Sequence, residues 1–535
     1  MSEERSAQAE AELPEAEFDE TAYLNAFPRI VTDIQAGKFA SAYDHLSRVG
    51  NREKRLQHAN YHRALAAQKV LRGLAGPAAE AGAAPPPAAG VDAMLLGATG
   101  TALVIGWADD RHQALRGIIV HTADGHSYAT HQVARCRRAD AETAVGASGR
   151  YLLGYWALVN LGPDPARPVA VSLHIGDETV RLPAAAQMMP DEQLRETMFD
   201  YFAGATYLGN PVVEGATQLD AGAGDALIGF NRTVSARVTD GMYVERHGPA
   251  LANPVASIII CLYGRAEFFF IQQAFFSAAA GSRDYEFVFV CNSPELSDAL
   301  QKEARIAAMI YGLSTTLVLL PGNAGFGAAN NAAVAQASGR RVIMLNPDVF
   351  PRDNNWAAAH AALVAGLPSE QTAMFGVPLF YDDGSLMHGG MYFDIDRGLS
   401  VRDTGITHRD MLRVEHYGKG SPPEHMQYRR ARPVPAVTGA FISADRDWFE
   451  KLGGFSADYV FGHYEDADLC LKSYAAGRPV WMHDLPFWHL ESKGSVRRRP
   501  HEGGTMLNRW NFTRTWLDLV TDEMNGRAPT GLHDE

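Results

Sequence analysis

The spacing of apolar residues divides the chain into stretches with different predicted secondary structure. Residues 1–16 are rich in Ala and Glu, and we expect them to form a disordered tail. Over residues 17–74 apolar side chains recur at intervals of three and four, as at Tyr23, Phe27 and Ile30. This period is that of an amphipathic helix and predicts a small helical module.

The next part of the chain changes from a linker composition to a strand pattern. Residues 75–92 lack large apolar groups over most of their length and contain three consecutive prolines, which predicts an Ala/Pro linker. Residues 93–186 contain short β-rich runs separated by Gly, Asp and Pro, such as TALVIGWADD and PVAVSLHIGDETVRL. They predict a β-sandwich-like domain. Residues 187–252 are predicted to be a connecting segment with a helical stretch near 190–203.

From residue 253 the pattern becomes an alternation of buried strands and helices. The runs VASIIICLY, YEFVFVCNS, TTLVLL and RVIMLN are short and continuously apolar, as in strands buried on both faces of a parallel sheet. Helical stretches separate them, so the fold class predicted for residues 253–495 is α/β with a mostly parallel sheet. A C-terminal basic loop and helix at 496–535 follow. Ligands bind beyond the carboxyl ends of the strands in such sheets, so chemistry is expected there.

Composition excludes several classes of function. The 535 residues contain 48 Lys and Arg against 62 Asp and Glu, a net charge of −14 that disfavours a nucleic-acid partner. The four cysteines form no CxxC pair, which argues against a disulfide framework or a zinc module and suits a reducing compartment. The acidic N-terminus lacks a secretory pattern, and no apolar run reaches about 18 residues. We therefore expect a cytoplasmic location.

Two segments that follow predicted strands are candidates for ligand chemistry. In PGNAGFGAANN the glycines allow close approach of the backbone, and the helix that follows offers N–H groups to an anion. A tight turn before a helix explains the same string equally well, and the spacing matches no dinucleotide or P-loop motif. In MLNPDVFP, Asp348 follows the fourth strand, where its carboxylate would reach a bound ligand. A hard cation that bridges two phosphates needs few protein carboxylates, so Asp348 is a candidate metal ligand. Asn-Pro-Asp is also a common turn.

Two further candidate segments lie towards the C-terminus. Glu465 and Asp466 are adjacent in FGHYEDADLCLK, so on a helix their directions differ by about 100° and only one can aim straight into a pocket. Acidic residues at a helix start also stabilise the helix dipole. In FWHLESKGSVRRRP, His489 precedes a basic run of Lys493 and residues 497–499. A structural histidine and a solvated face are the ordinary alternatives, but this basic island in an acidic chain favours a diphosphate-facing loop.

These strings together carry a family resemblance. From Pro254 to about Ser495 the chain resembles the family-2 inverting glycosyltransferases of the GT-A fold, in particular bacterial rhamnosyltransferase-like enzymes. The matching strings, in the order of the family, are SIIICLYGR, GNAGFGAANN, LNPDV, VTGAFISADRDWFEKLGGFSADY, YEDADLC and WHLESKGS. The resemblance covers somewhat under half of the chain.

The resemblance implies a role for each matching residue. Asp348 and His489 would hold Mg²⁺ or Mn²⁺ on the diphosphate of the donor. Asp466 would be the general base for the acceptor hydroxyl, and Glu465 would orient the acceptor or the base. Gly439 would leave room for the sugar. The remaining donor-binding candidates are Cys291, Asn292, Asn323, Gly325, Asn331 and Lys493.

The chain departs from the family pattern in three of its motifs. The first strand ends with Cys261 and Gly264 where the family has Pro and Asn. Cys291 stands where the family usually has an Asp that reads the base, and Asn292 is the candidate replacement. Asn346 occupies the first acidic position of the metal motif and leaves one carboxylate there, as in the related rhamnosyltransferase-like sequences.

The function implied is a metal-dependent inverting glycosyltransferase. It would move a sugar from a nucleotide-sugar donor to a hydroxyl of a glycan or lipid-linked glycan acceptor, in bacterial surface polysaccharide biosynthesis. Peripheral membrane association and the oligomeric state stay open, as do the sugar, the base and the linkage. One alternative is a non-catalytic nucleotide-sugar or glycan-binding scaffold, which Cys291 and the large N-terminal attachment motivate. The other is a nucleotidyltransferase, although only Gly264 and Arg265 supply the basic Gly-rich loop it would need.

Overall fold

The computed structural model of the chain describes residues 13–27, 29–74, 89–147, 151–402, 405–490 and 498–524. The chain divides into two compact units, one comprising Met1–Ala226 with Leu399–His408 and the other Leu227–Gly398 with Arg409–Glu535. Most of the predicted tail and linker lies outside the described residues, as does Lys493.

The first unit begins with short helices that share one apolar core. Asp19 caps the first helix by accepting the Ala22 N–H at 2.9 Å, and Tyr23, Ile30 and Leu46 are buried together. The α-helices of this unit are α1 (Glu20–Ala26), α2 (Arg29–Gln35), α3 (Ala42–His45), α4 (Ala59–Leu74), α5 (Ala139–Ala144), α6 (Asp191–Gly204) and α7 (Pro211–Gln218). Shorter 3₁₀ and π turns occupy Glu15–Glu17, Leu46–Gly50, Arg55–Gln57 and Leu219–Ala223.

Two sheets in the first unit enclose a second apolar core and form the predicted β-sandwich. The strands are β1 (Ala89–Gly97), β2 (Thr101–Ala108), β3 (Leu115–Thr122), β4 (Ser127–Thr130), β5 (Val133–Cys136), β6 (Gly154–Asn160), β7 (Pro168–Ile175), β8 (Glu178–Pro183) and β9 (Gln187–Met189). One sheet has the order β5-β6-β2-β1-β9 and the other β4-β3-β7-β8. Val104 and Tyr155 from the first sheet pack with Ile118 and Val171 from the second.

The sandwich starts earlier than the sequence predicts. Strand β1 begins at Ala89, inside the segment 75–92 predicted as linker, because Ala89 pairs with Ala108 at the far end of β2. The small residues Ala89 and Gly90 lack the bulky side chains by which strands are recognised in a sequence. Their place in the sheet is set by pairing with a strand that comes later in the chain.

The second unit is built on a nine-stranded sheet. Its strands are β10 (Tyr243–His247), β11 (Ser257–Leu262), β12 (Glu286–Cys291), β13 (Ser314–Leu319), β14 (Arg341–Leu345), β16 (Met374–Gly376), β21 (Arg432–Val434), β22 (Phe441–Asp445) and β23 (Val480–Met482). Their order is β10-β13-β12-β11-β14-β22-β16-β23-β21. The four predicted apolar runs form β11 to β14, which are parallel to one another and confirm the α/β class.

On both sides of the four parallel strands, the sheet contains antiparallel pairs. Strands β10, β22 and β21 each pair antiparallel with their neighbours among the described residues. Residues 187–252, predicted as a connecting segment, include the short strand β9, three complete α-helices and the edge strand β10. Because β10 lies at an edge and several of its side chains are exposed, its sequence YVERH shows no continuous apolar run.

Smaller elements complete the second unit. A four-stranded sheet has the order β15-β24-β17-β18, with β15 (Val349–Pro351), β17 (Leu379–Phe380), β18 (Leu386–His388) and β24 (Phe487–His489). A hairpin is formed by β19 (Met391–Arg402) and β20 (Gly405–His416). The α-helices are α8 (Gly224–Asp240), α9 (Glu267–Ser277), α10 (Ser297–Tyr311), α11 (Phe326–Val334), α12 (Trp356–Gly366), α13 (Ser369–Thr372), α14 (Arg446–Lys451), α15 (Glu465–Ala475) and α16 (Pro500–Met524). Single 3₁₀ turns occupy Ser282–Asp284, Pro294–Leu296 and Met426–Tyr428.

None of the helices in the described part of the chain combines the length and the apolar character that a membrane crossing requires.

Candidate active site

A cavity of about 460 Å³ lies where the parallel strands of the second unit end. Tyr263 follows β11, Asn292 follows β12, Asn323 follows β13 and Asp348 follows β14, and all four line the cavity. This is the edge at which α/β sheets bind ligands. The cavity therefore defines the candidate active site.

Asp348 and His489 meet in this cavity because their strands are neighbours. Strand β15 pairs antiparallel with β24, with Val349 opposite His489. His489 Nε2 lies 3.4 Å from Asp348 Oδ1, and both side chains are less than a tenth exposed. Nδ1 of His489 is buried and has no hydrogen-bond partner among the described residues.

This pair fits a divalent cation that also binds phosphate. The described residues contain no cluster of three or more His, Cys, Asp and Glu side chains that could enclose a metal, so a closed structural site is not formed by them. One carboxylate and one imidazole, with an uncommitted buried nitrogen, leave most of the coordination shell to phosphate oxygens and water, as Mg²⁺ prefers.

The turn that carries Asp348 is held by a buried amide that sequence reasoning missed. Gln272, on α9, is fully buried, and its Nε2 donates to the carbonyl oxygens of Pro347 at 2.6 Å and Val349 at 3.0 Å. The carbonyl oxygen of Asn346 lies 3.3 Å away. Gln272 lies in a phenylalanine-rich helix about 75 residues before this turn, and only the contact between the two in space reveals its role.

Glu465 and Asp466 also line the cavity, at the start of α15. Asp466 Oδ2 accepts the Gly439 N–H at 2.8 Å, and its Oδ1 accepts the Ala467 N–H at 2.8 Å. Glu465 is buried, and its Oε2 has no hydrogen-bond partner in the described structure. The adjacent carboxylates therefore lie in different environments, since both oxygens of Asp466 accept a backbone N–H whereas one oxygen of Glu465 has no partner in the described structure.

Burial perturbs the titration of both carboxyls. It raises the pKa of Glu465 well above the ordinary range, and the neighbouring charge of Asp466 acts in the same direction. Burial also raises the pKa of Asp466, against the opposing effect of the N–H donors of Gly439 and Ala467. Burial in the cavity therefore favours the protonated form of each carboxyl more than water does.

The segment before α15 has a strained backbone. Phe461, His463 and Tyr464 have φ values of 59°, 83° and 73°, in the left-handed region that residues other than glycine rarely adopt. Each such residue costs about 1–3 kcal/mol, and strain of this kind concentrates at functional sites. The Phe326 N–H donates to the Phe461 carbonyl oxygen at 2.7 Å, which ties this segment to the start of α11.

On the predicted nucleotide side, two asparagines brace the loop after β13. Asn292 Nδ2 donates to Asn323 Oδ1 at 2.9 Å, and the Ala324 N–H donates to Asn292 Oδ1 at 2.7 Å. The Gly325 N–H donates to Asn323 Oδ1 at 2.8 Å. Gly325 is not among the residues that line the cavity; its φ of 85° and a Cβ position 3.3 Å from the Phe461 nitrogen require glycine there.

Besides Gly325, two other predicted donor-binding residues, Asn331 and Cys291, are not in the cavity lining. Both polar atoms of the Asn331 amide bond the backbone of Phe455, with Nδ2 to the carbonyl oxygen at 2.8 Å and Oδ1 to the N–H at 3.0 Å. Cys291 is fully buried, and its thiol donates to the Ser293 carbonyl oxygen at 3.0 Å. Both side chains therefore contact the surrounding loops, and the nucleotide-binding roles that the resemblance implies for them stay a prediction.

Gly439 lies beside the candidate base. A Cβ at this position would lie 3.5 Å from the Asp466 Cβ and 3.3 Å from the ring of Phe326, so a side chain would fill the space next to the carboxylate. Lys493 lies outside the described residues. Of the basic run, Arg498 stacks over the Tyr263 ring at 6.0 Å, and Tyr263 lines the cavity.

Several cavity residues carried no signal in the sequence. His416 comes from the end of β20, and His501 and Thr505 come from α16, beyond the predicted catalytic domain 253–495. His416 Nδ1 lies 2.9 Å from Nδ1 of His388, which is fully buried. Burial lowers the pKa of His388 well below its ordinary value, and His416 acts in the same direction. These residues lie outside every family string, and only the fold brings them to the site.

Comparisons with known proteins find distant relatives. No family model matches the chain. The chain is 28% identical to uncharacterized protein y4gI of Sinorhizobium fredii (strain NBRC 101917 / NGR234) over 214 residues, which are 39% of this chain and 21% of that protein. It is 29% identical to the O-antigen biosynthesis protein RfbC of Myxococcus xanthus over 154 residues, 29% of this chain and 11% of RfbC. The matched region thus spans about a fifth or less of each relative.

The solved structures found are also remote. GalNAc-T7 with UDP, GalNAc and Mn²⁺ gives a TM-score of 0.35 at 15% identity, covering 50% of each chain. The mannosyltransferase PcManGT from Pyrobaculum calidifontis, in complex with GDP-Man and Mn²⁺, gives 0.32 at 15% identity, covering 59% of this chain and 87% of its own. TarS residues 1–349 from S. aureus gives 0.30 at 12% identity, covering 49% and 73%. Scores at this level carry no inference about activity.

Proposed function

We propose that the chain is a metal-dependent inverting glycosyltransferase that moves a sugar from a nucleotide-sugar to a hydroxyl of a glycan or glycolipid. One observation carries the proposal: the Asp348–His489 pair and the Glu465–Asp466 pair line the same cavity at the carboxyl ends of parallel strands. The resemblance of residues 254–495 to family-2 enzymes supports it. The similarity to a protein named for O-antigen biosynthesis supports a polysaccharide or lipid-linked glycan as acceptor.

In this mechanism Asp348 and His489 would hold the divalent cation that accompanies the donor diphosphate. Their burial and their approach to 3.4 Å keep both ligands in place before the donor arrives. When bound, Mg²⁺ or Mn²⁺ stabilises the negative charge that the leaving nucleoside diphosphate acquires. Gln272 orients the turn on which Asp348 is carried.

Asp466 is the general base of the proposed reaction. A carboxylate oxygen of Asp466 takes the proton of the acceptor hydroxyl. At the same time the hydroxyl oxygen attacks the anomeric carbon, and the bond from this carbon to the diphosphate oxygen breaks. One displacement of this kind inverts the anomeric centre. The N–H groups of Gly439 and Ala467 orient the carboxylate, and its raised pKa strengthens it as a base. Glu465 orients the acceptor or Asp466.

Asn292 and Asn323 form the nucleotide side of the site in this proposal. Both line the cavity at the ends of β12 and β13, and amide groups can donate to and accept from the edge of a base. Asn292 uses one amide N–H for Asn323 and its oxygen for the Ala324 N–H, which leaves its second amide N–H for a ligand in the cavity. We therefore propose that this amide contacts the base.

The proposal is tested by separating donor binding from transfer. Thermal shifts against a panel of nucleotide-sugars, with and without Mn²⁺, identify the donor, since a tight ligand raises stability by mass action. Transfer to glycan acceptors is then followed by mass spectrometry for the wild type, Asp466→Asn and the control Asp468→Asn. Asp468 lies on the same helix but contacts Trp516 and Lys472 away from the cavity lining.

We expect Asp466→Asn to bind the donor within about twofold of wild type and to lose at least about 100-fold in turnover. The control should keep its turnover. Saturable binding by the wild type without transfer or hydrolysis of any nucleotide-sugar would refute the proposal and favour the scaffold alternative.

A further inference from the structure

The left-handed segment before α15 needs a constraint from outside its own sequence. Phe461, His463 and Tyr464 carry positive φ values, whereas Gly462, the glycine that could adopt them at no steric cost, does not. A free chain with this sequence would relax to ordinary backbone angles. Because Glu465 follows directly, any relaxation would rotate the start of α15 and move both carboxylates.

Besides the Phe326 N–H, the side chain of Asn508 on the C-terminal helix α16 supplies such a constraint. Asn508 Oδ1 accepts the Val460 N–H at 2.7 Å. Its Nδ2 donates towards three carbonyl oxygens, those of Val460 at 3.0 Å, Gly462 at 2.8 Å and His463 at 3.1 Å. Asn508 is fully buried, so these bonds do not compete with bulk water.

The packing of α16 brings this amide within reach. Gly504, one turn before Asn508, allows close approach, because a Cβ there would lie 3.2 Å from Phe461 Cδ2. The ring of His501 packs on the Phe461 ring at 5.0 Å between centroids. Helix α16 therefore contacts the strained segment along two of its turns.

We infer that Asn508 is the positioning residue that sets the backbone of residues 460–464 and thereby places Glu465 and Asp466 in the cavity. Its catalytic consequence rests on the proposed function, whereas its effect on the backbone does not. The amide has both a donor and an acceptor, and this segment presents an N–H and several carbonyl oxygens together. An aspartate or an aliphatic residue of similar size cannot bond both the N–H and the carbonyl oxygens.

One amide reports the position of Asp466 without any assay of activity. The Gly439 N–H is bonded to Asp466 Oδ2 and is 27 residues away in the sequence. Its hydrogen exchange is slow only while the carboxylate stays in place. A role of Asn508 limited to general stability would not change exchange at Gly439 more than elsewhere.

The test measures hydrogen–deuterium exchange in the full chain, with single-residue resolution at Gly439, for wild type, Asn508→Ala, Asn508→Asp and Asn511→Ala. Asn508→Asp keeps the side-chain volume and the acceptor for Val460 but loses the donor, so it replaces Asn508→Ala should that variant fail to fold. Asn511 is a buried asparagine on the same helix whose Oδ1 accepts from Arg514 at 3.1 Å, and it provides the matched control.

For both Asn508 variants we expect exchange at residues 460–467 and at Gly439 to rise at least about tenfold, and turnover to fall about 10- to 100-fold while donor affinity stays within about twofold. Asn511→Ala should leave both readouts unchanged. Unchanged exchange at Gly439 would overturn the inference whatever the activity, and faster exchange with full turnover would overturn its catalytic part. A wild-type protein that transfers no sugar would refute the proposed function, while the exchange data would still decide the role of Asn508.

Discussion

Glu465 and Asp466 are adjacent carboxylic acids whose surroundings give them different chemical properties. The Asp466 carboxylate accepts two backbone N–H groups, whereas Glu465 is more deeply buried and keeps one oxygen without a partner among the described residues. The first arrangement holds an ionised oxygen in a fixed direction. The second disfavours ionisation, so Glu465 destabilises the fold when it is charged.

Replacing Glu465 should therefore stabilise the protein in a pH-dependent way. Because its folded-state pKa is raised above the unfolded value, the folded state binds more protons, and stability falls as pH rises from about 4 through the folded pKa. Glu465→Gln should raise Tm by about 2 °C or more at pH 8 and change it little at pH 4. Thermal unfolding of both proteins across this range is the measurement. A gain that is equal at both pH values would show that the charge is not the cause.

The metal pair gives a prediction that does not depend on turnover. Removing the carboxylate in Asp348→Ala, or the imidazole in His489→Ala, takes away one of the two proposed metal ligands. We expect Mn²⁺ affinity in the presence of a nucleoside diphosphate to fall at least about tenfold, which calorimetry measures. Diphosphate binding by the wild type should weaken in chelator. Diphosphate binding that is as tight in chelator as in Mn²⁺ would contradict the assignment.

At the scale of elements, the site depends on turns that distant side chains hold. Gln272 fixes the turn after β14, and Asn331 fixes the backbone at Phe455. Each is a buried amide that bonds main-chain groups, so each acts on structure more than on ligands. The sequence cannot distinguish such an asparagine from a ligand-binding one, because both follow a strand in a Gly-rich string.

Asn331 provides the element-scale prediction. Asn331→Ala leaves the N–H and the carbonyl oxygen of Phe455 without their partner, which should lower the free energy of unfolding by about 2–4 kcal/mol. The neighbouring variant Asn330→Ala loses one bond to Phe326 and should cost about 1 kcal/mol. Denaturant unfolding measures both. Donor affinity should be unchanged in Asn331→Ala, and a loss of affinity without a loss of stability would support a nucleotide-binding role.

The same scale shows where prediction from sequence succeeds. The four parallel strands could be predicted because each is a continuous apolar run, and their carboxyl ends then place Asp348 and Asn323 at one edge. Strands β1 and β10 could not be bounded, because small or exposed side chains carry no such pattern. His416, His501 and Asn508 come from a hairpin and a helix beyond the family strings. Their place depends on packing between distant segments.

At the scale of the whole molecule, the functional argument concerns the second unit. The first unit contains a helical core and a β-sandwich, each with its own buried apolar cluster, and no role follows from them. In the second unit the C-terminal helix belongs to the site, since His501 and Thr505 line the cavity and Asn508 bonds the strained segment. A chain that ended near residue 495 should therefore lack part of the site, despite containing every family string.

The net charge of −14 describes the whole chain, and the lining of the cavity differs from it. It argues against a polyanionic partner for the whole surface. The cavity nevertheless has imidazoles from His416, His489 and His501 in its lining, and Arg498 stacks on Tyr263 at its edge. The N–H groups of these imidazoles and of the guanidinium can donate to the oxygens of a small anionic ligand such as a nucleoside diphosphate.

The most direct test of the central claim is the anomeric configuration of the sugar that the protein releases from its donor, followed by NMR with water as the acceptor. The account predicts that the first product formed by the wild type has the configuration opposite to that of the donor, and that Asp466→Asn forms it at least about 100-fold more slowly. A product that keeps the donor configuration, or full turnover by Asp466→Asn, would contradict it.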